Sequence, residues 1–90
     1  MSEQRPLITV YATSWCPYCE RARQLLRRKG LPFVEIDIEE QAAKRAEMMT
    51  RSGRRTVPQI FIDERHVGGS DDLVALEASG ELDRIIEGHA

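Results

Sequence analysis

Cysteine is scarce in this 90-residue chain, where it occurs only twice. Two cysteines cannot supply the several cross-links of a disulfide-stabilised secreted domain. They also stand only three positions apart, whereas a structural disulfide normally closes a longer loop. The pair is therefore expected to be a redox or a metal-binding pair. The length allows one small hydrophobic core, so we expect a single domain over residues 1–90.

A strong charge of one sign and long apolar segments are also missing. The 13 basic and 15 acidic residues are interspersed and leave a formal net charge of −2, so neither nucleic acid nor an anionic membrane is expected as a partner. No run approaches the roughly 18 apolar residues of a membrane span. Residues 1–5 contain no apolar segment of a secretory signal. These features predict a cytoplasmic protein, which we expect to be a monomer.

The chain does contain an alternation of strand and helix patterns. Strands are predicted at residues 7–11 and 33–38, and a hairpin at residues 59–63 and 66–67 around Glu64 and Arg65. Helices are predicted at residues 17–29, from 39 to about 52, at 70–79 and in a short terminal segment around Leu82. The continuous apolar character of the first strand favours a central position, and the helix after it implies a parallel crossover to the second strand. The predicted order is β α β α β β α.

The periodicity of the first two helices predicts which side chains face the core. The charged residues of the first helix, Arg23 among them, are assigned to solvent. Cys19 should face inward, whereas Cys16, at the edge of the helix, should face outward. The apolar side of the first helix is formed by Cys19, Ala22, Leu25 and Leu26, and that of the second by Ala42, Ala43, Ala46 and Met49.

The chemistry is concentrated in residues 14–19, where a strand ends and a helix begins. Cys16 stands at a helix start, where unpaired N–H groups and the positive end of the dipole favour a thiolate, and Pro17 suits the first helical position. The dipole supplies about 0.3–1 kcal/mol, less than the about 2.7 kcal/mol of a two-unit pKa shift. Hydrogen bonds from the Tyr18 or Cys19 N–H and from the Cys19 thiol are therefore expected as well. We predict Cys16 as the nucleophile and Cys19 as the resolving thiol of a redox pair.

Three motifs together resemble the dithiol glutaredoxins, most closely their small bacterial type. The motifs are Cys16-Pro17-Tyr18-Cys19, Thr56-Val57-Pro58 and residues 68–73, and the resemblance covers nearly the whole chain. It implies an α/β thioredoxin fold, with a central four-stranded mixed sheet flanked by helices, and catalysis by Cys16 and Cys19. It further implies glutathione as co-substrate, no tightly bound cofactor, and substrates that are disulfide-containing or glutathionylated proteins, with ribonucleotide reductase as one acceptor.

The resemblance also implies a glutathione site. The proline of the second motif is cis in this family, which would free the Val57 main chain to pair with an extended peptide; a trans proline that starts an edge strand is the alternative. In the third motif Ser70 is interpreted as a helix N-cap. The N–H groups after it would hold a carboxylate and the two aspartates an ammonium, although capping alone also explains these residues. The implied glutathione-binding residues are Tyr18, Arg45, Thr56, Val57, Pro58, Gly69, Ser70, Asp71 and Asp72.

One expected contact to glutathione is in doubt. Many family members have a lysine where this chain has Thr13. Arg45 is therefore the better candidate to bind the glycine carboxylate, with Arg54 and Arg55 as helpers. The alternative for Arg51, Arg54 and Arg55 is that they belong to a solvated turn. Trp15 is expected to lie on an apolar rim with Pro17 and Tyr18, or else to pack on the scaffold.

Three other functions remain open. A redoxin reduced by thioredoxin reductase would use the same dithiol but lack a glutathione site. A carrier of an iron–sulfur cluster would ligate it through Cys16 and glutathione, and Pro17 argues against this because cluster-binding relatives usually have a smaller residue there. A zinc site would need His66 and His89 beside the cysteines, which the sequence does not favour.

Overall fold

Four strands form one mixed sheet in the computed structural model, which describes residues 6–88. They are β1 (Ile8–Ala12), β2 (Val34–Asp37), β3 (Gln59–Ile62) and β4 (Arg65–Gly68), in the spatial order β2-β1-β3-β4. β1 is parallel to β2 and antiparallel to β3, and β4 is antiparallel to β3. The helices are α1 (Pro17–Arg28), α2 (Ala42–Ser52), α3 (Ser70–Ser79) and α4 (Glu81–Glu87). The predicted element order is confirmed, and none of the helices in residues 6–88 is long and apolar enough to cross a membrane.

The central position of β1 explains its continuous apolar sequence. All five of its residues are buried. Ile8, Val10 and Ala12 belong to the larger core, which also contains side chains of α1, β3, α3 and α4. Tyr11 belongs to a smaller core with Ile38, Met48 and Phe61. Since successive side chains of a strand point to opposite faces, β1 contributes to both cores at once.

The start and the core-facing side of α2 differ from the prediction. The helix begins at Ala42 because the Asp37 carboxylate accepts the N–H groups of Glu39 (2.8 Å) and Glu40 (3.3 Å) and holds the preceding residues in a turn. Met48 is the buried side chain of α2, and Met49 is only partly buried. The predicted Ala42, Ala43 and Ala46 are exposed, because their short side chains lie on the other side of the helix.

The turn between β3 and β4 lies one residue earlier than predicted. Asp63 (φ 53°) and Glu64 precede Arg65, which already belongs to β4. A positive φ is tolerated by aspartate better than by most residues. The Asp63 carboxylate accepts the Leu7 N–H at 2.8 Å, and the Asp63 N–H donates to the Leu7 carbonyl at 2.8 Å. These bonds fix the turn to the start of the chain's first strand.

Replacing Met48 tests the observed orientation of α2. Met48 is 0% exposed and fills the smaller core, so Met48→Ala should lower the free energy of unfolding by about 2–5 kcal/mol. Met49→Ala, the matched control, should have a clearly smaller effect because Met49 is only partly buried. Urea unfolding of both variants measures the difference. A larger loss for Met49→Ala would contradict the observed orientation.

Candidate active site

Cys16 is the N-cap of α1, directly after the loop that follows β1. Its backbone is extended (φ −84°, ψ 123°), and Pro17 occupies the start of the helix as predicted. Both cysteines are free thiols, and Cys19 is 0% exposed, as predicted. The prediction that Cys16 faces outward is wrong, because Cys16 is only 9% exposed. Its Sγ lies 4.0 Å from the Val57 carbonyl oxygen, so the loop before β3 covers it.

The two thiols have opposite electrostatic environments. Burial is the largest influence on Cys16 and opposes its ionisation. The Cys19 N–H and thiol, the Tyr18 N–H and the charge of Arg23 together outweigh burial and lower the Cys16 pKa. Deeper burial and the neighbouring Cys16 raise the pKa of Cys19 to about 11, against the opposing Thr13 N–H and Arg23. The hydrogen bonds that the sequence predicted therefore favour the Cys16 thiolate, while Cys19 stays protonated.

Arg23 is the functional residue that sequence reasoning missed. It was assigned to solvent, yet it is 5% exposed and lies on the same side of α1 as Cys19, four residues earlier in the chain. Its guanidinium donates to the Thr13 carbonyl oxygen and to Glu35 of β2. The position of Arg23 one helical turn after the inward-facing Cys19 could have indicated that Arg23 is buried. However, Glu35, the carboxylate that compensates for burial of its charge, lies on a different element, β2.

A cleft of about 320 Å³ opens beside the Cys16 thiol, since Val57 lines it and also contacts Cys16. The Val57–Pro58 peptide is cis, as the resemblance implied. Val57 makes no backbone–backbone hydrogen bond within residues 6–88, and its carbonyl oxygen accepts only the long contact from Cys16 Sγ. The lining residues are Tyr18, Arg54, Thr56, Val57, Pro58, Gly69, Ser70, Asp71 and Asp72. The structure thus brings together eight of the nine glutathione-binding residues named from the sequence.

The start of α3 forms the acidic side of this cleft. Gly69 is the N-cap, and the prediction that Ser70 caps the helix is wrong: Ser70 is the first helical residue and is buried. Glycine fits the cap because the Asp72 side chain satisfies the terminal donor instead, accepting the Gly69 N–H at 2.8 Å. That bond is the main cause that lowers the Asp72 pKa. A Cβ on Gly68 (φ 119°) would lie 2.2 Å from Asp72 Oδ2, so this tight approach requires glycine.

Arginines pair with both aspartates across the cleft. Arg54 Nη1 lies 3.4 Å from Asp72 Oδ2, and Arg21 Nη1 lies 3.4 Å from Asp71 Oδ1. Because these pairs are long and exposed, they contribute little to stability. Arg45, by contrast, is exposed on α2 and is not among the residues that line the cleft.

Trp15 does not pack on the scaffold. It is exposed, as are Pro17 and Tyr18, and its Nε1 donates to Glu39 at 3.1 Å.

His66 is bound to Gln59 rather than placed near the cysteines. The Gln59 amide nitrogen donates to the Thr56 carbonyl at 3.0 Å, so its Oε1 is left to accept a hydrogen bond from His66 Nε2 at 2.7 Å. No group of three or more candidate metal ligands occurs within residues 6–88, and His89 lies outside them.

Comparisons with known proteins agree on one family. A family model described as Glutaredoxin matches residues 8–67. The chain is 55% identical to Glutaredoxin 3 of Escherichia coli (strain K12) over 80 residues, which are 89% of this chain and 96% of that protein. It is 53% identical to a Glutaredoxin of Pseudomonas aeruginosa over 81 residues, 90% of this chain and 96% of that one.

Solved structures show the same likeness. The solution structure of a glutaredoxin from Brucella melitensis has a TM-score of 0.82 at 50% identity, over 96% of this chain and 94% of that chain. The crystal structure of a buckwheat glutaredoxin–glutathione complex has a TM-score of 0.84 at 27% identity, over 92% of this chain and 78% of that chain. The thioredoxin fold that the sequence resemblance implied is confirmed.

The pH dependence of alkylation tests the assignment of the two thiols. In the reduced protein, the pH dependence of the rate of iodoacetamide alkylation should give Cys16 a pKa below the roughly 8.5 of an ordinary thiol, because main-chain donors stabilise its thiolate. Mass spectrometry identifies the modified residue, and Cys16→Ser isolates Cys19. In that variant alkylation at neutral pH should be far slower, because burial, the largest influence that raises the Cys19 pKa, does not depend on Cys16 and also restricts access to the thiol. Preferential alkylation of Cys19 at neutral pH would reverse the assignment.

Proposed function

The chain belongs to the glutaredoxin family, and from that premise we propose that it is a glutathione-dependent oxidoreductase which reduces protein disulfides and glutathione mixed disulfides through Cys16 and Cys19. Thiol–disulfide exchange is the activity that membership of this family supports. Glutathione is the proposed co-substrate, and no tightly bound cofactor is part of the proposal. Ribonucleotide reductase is included among the proposed acceptors on the sequence resemblance alone.

The observation that carries this proposal is the cleft beside the Cys16 sulfur. A disulfide sulfur must reach Cys16 to react, and the Val57 main chain, which makes no backbone–backbone hydrogen bond within residues 6–88, lies beside the Cys16 sulfur. An extended cysteinyl residue paired with Val57 would place its own sulfur next to Cys16. The volume of about 320 Å³ lies in the range of small-molecule sites. The cleft is thus suited to a short peptide whose thiol is the reacting group.

The charges at the far side of the cleft favour the γ-glutamyl end of glutathione. The first N–H groups of α3 have no acceptor within the helix, and they would bind the α-carboxylate. Asp71 and Asp72 would bind the α-ammonium and would repel a phosphate. A zwitterionic amino acid end fits both groups. The structural likeness to a buckwheat glutaredoxin–glutathione complex supports this ligand.

The glycine carboxylate of glutathione needs a cation. Arg54 lines the cleft, whereas Arg45 lies outside it on α2. Arg54 pairs with Asp72 at 3.4 Å, at the end of the cleft proposed for the ammonium, so it is proposed only as a helper for the glycine carboxylate. The role of Arg45, like that of Arg55, stays a prediction from the sequence resemblance.

The proposed reaction transfers two electrons through the dithiol. The Cys16 thiolate attacks one sulfur of a protein disulfide, and the other sulfur leaves as a thiolate that takes up a proton. Cys19 loses its proton and attacks the Cys16 sulfur, which releases the reduced protein and leaves a Cys16–Cys19 disulfide. One glutathione thiolate then forms a mixed disulfide with Cys16, and a second removes it as glutathione disulfide. A glutathionylated substrate transfers its glutathione to Cys16 directly, so Cys19 is not required.

A Cys19→Ser variant separates the two proposed reactions. It should keep most of the reduction of a glutathione mixed disulfide but lose reduction of a protein disulfide, because only the second reaction needs a resolving thiol. Cys16→Ser should lose both. Both activities are measured as NADPH consumption with glutathione and glutathione reductase. Equal loss of both activities in Cys19→Ser would contradict the mechanism.

The electron donor tests the proposal as a whole. The wild-type protein should turn over with glutathione and glutathione reductase and should not turn over with thioredoxin reductase alone. The opposite result would show a redoxin without a glutathione site. Asp71→Asn should raise KM for glutathione, whereas Glu87→Gln, an exposed acidic control on α4, should leave it unchanged.

A further inference from the structure

Arg23 is the one charged residue that is buried in the described part of the chain. Its side chain is 7% exposed, and its guanidinium is bound on three sides. Nε and Nη2 donate to the Glu35 carboxylate at 2.8–3.0 Å, and Nη1 donates to Glu20 at 2.9 Å. Such planar, two-pronged binding of a carboxylate orients an arginine and leaves little freedom to its charge.

The third partner of Arg23 belongs to the active-site loop. Nη2 donates to the Thr13 carbonyl oxygen at 2.8 Å, and this bond is fully buried. The main chain of the same residue, Thr13, lowers the pKa of the Cys19 thiol. Arg23 is therefore linked to Cys19 through the main chain of Thr13, in the loop that delivers the chain to Cys16.

A purely structural ion pair does not account well for this arrangement. Burial of a charged pair requires desolvation of both groups, and apolar residues of similar volume often serve stability equally well. What an apolar residue cannot provide is a hydrogen bond to Thr13 and a positive charge close to the thiols.

We propose that Arg23 is a positioning residue of the dithiol: it holds the Thr13 main chain against Cys19 and brings a fixed positive charge to both thiols. This inference deepens the proposed function and rests on it only for the identity of the reaction. Arg23 touches no substrate and acts through its neighbours. Its positive charge stabilises the thiolate form of each cysteine and so lowers the pKa of both thiols.

Glu20 and Glu35 limit the effect of this charge. Both carboxylates are bound to Arg23, and Glu35 is the main cause that raises the arginine's own pKa. They neutralise part of the positive charge that the thiols would otherwise experience. The proposal therefore predicts opposite effects for removal of the arginine and removal of its carboxylate partner.

Titration of the thiols in four variants tests the proposal. Arg23→Met should raise the Cys16 pKa and slow its alkylation at neutral pH, because both the positive charge and the hydrogen bond to Thr13 are lost. Arg23→Lys keeps a charge and should restore at least part of that rate. Glu35→Gln should lower the Cys16 pKa. Arg28→Met, which removes an exposed charge from the same helix, should leave it unchanged.

The readout distinguishes positioning from stability. Urea unfolding is measured beside the titration, so a variant that is merely less stable but ionises normally overturns the proposal. An Arg23→Met variant that titrates like Arg28→Met also overturns it. If Arg23→Met does not fold, Glu35→Gln decides, and an unchanged or raised Cys16 pKa is the negative result. Because no glutathione is present, failure of the proposed glutathione activity leaves this result intact.

Discussion

The reactivity of this protein depends on main-chain hydrogen bonds that outweigh burial at the first turn of α1. Cys16 occupies the N-cap, where a serine or aspartate oxygen normally accepts the free N–H groups of the helix. Its side chain makes no capping hydrogen bond of that kind, but the main-chain groups of Tyr18 and Cys19 lie close enough to its sulfur to lower its pKa. Burial alone would raise the pKa of a 9%-exposed thiol, and it would do so in any fold that merely hid the cysteine. The helix start therefore makes burial compatible with a thiolate, and the covering Val57 loop can approach without suppressing ionisation.

Strand pairing explains why three distant segments meet at this sulfur. β1 leads towards Cys16, and β3 begins with Gln59 opposite Tyr11, so the residues before β3 lie at the same edge of the sheet. β4 runs back to that edge, where Gly68 lies opposite Ile60 and α3 starts. The Gln59 amide also holds the Thr56 carbonyl at 3.0 Å. A register shift in β3 would separate the cleft from the thiol, because a strand moves its flanking loops with it.

The sequence predicts the parts of this architecture that follow from local chemistry. The burial of Cys19, the start of α1 and the order of the elements along the chain depend on spacing, capping and periodicity, and those are visible in the residues. The outward position predicted for Cys16 was wrong, and its role as nucleophile stays a prediction. Arg23 could not be assigned, because its burial depends on Glu35 in a strand that only folding brings near. The buried side of α2 was ambiguous, because its small alanines can face either the core or solvent. The helix is oriented by Met48, whose side chain packs against the smaller core. Arg54 lines the cleft where Arg45 was favoured, because the path of the chain after α2 decides which arginine arrives there.

In the reaction proposed for this dithiol, the difference between the pKa values of the two thiols changes. In the reduced protein, three influences raise the Cys19 pKa: burial, its hydrogen bond to the Cys16 sulfur and the negative charge of Cys16. Once Cys16 is bonded to a substrate sulfur, it carries no charge and no longer accepts that hydrogen bond. Two of the three unfavourable influences then disappear, while the Thr13 N–H and Arg23 continue to favour the Cys19 thiolate. Cys19 is therefore held protonated while Cys16 waits for a substrate and becomes easier to ionise when a mixed disulfide has formed. The resolving step is thus timed by the charge of the nucleophile itself, because nucleophilicity at sulfur follows the thiolate fraction.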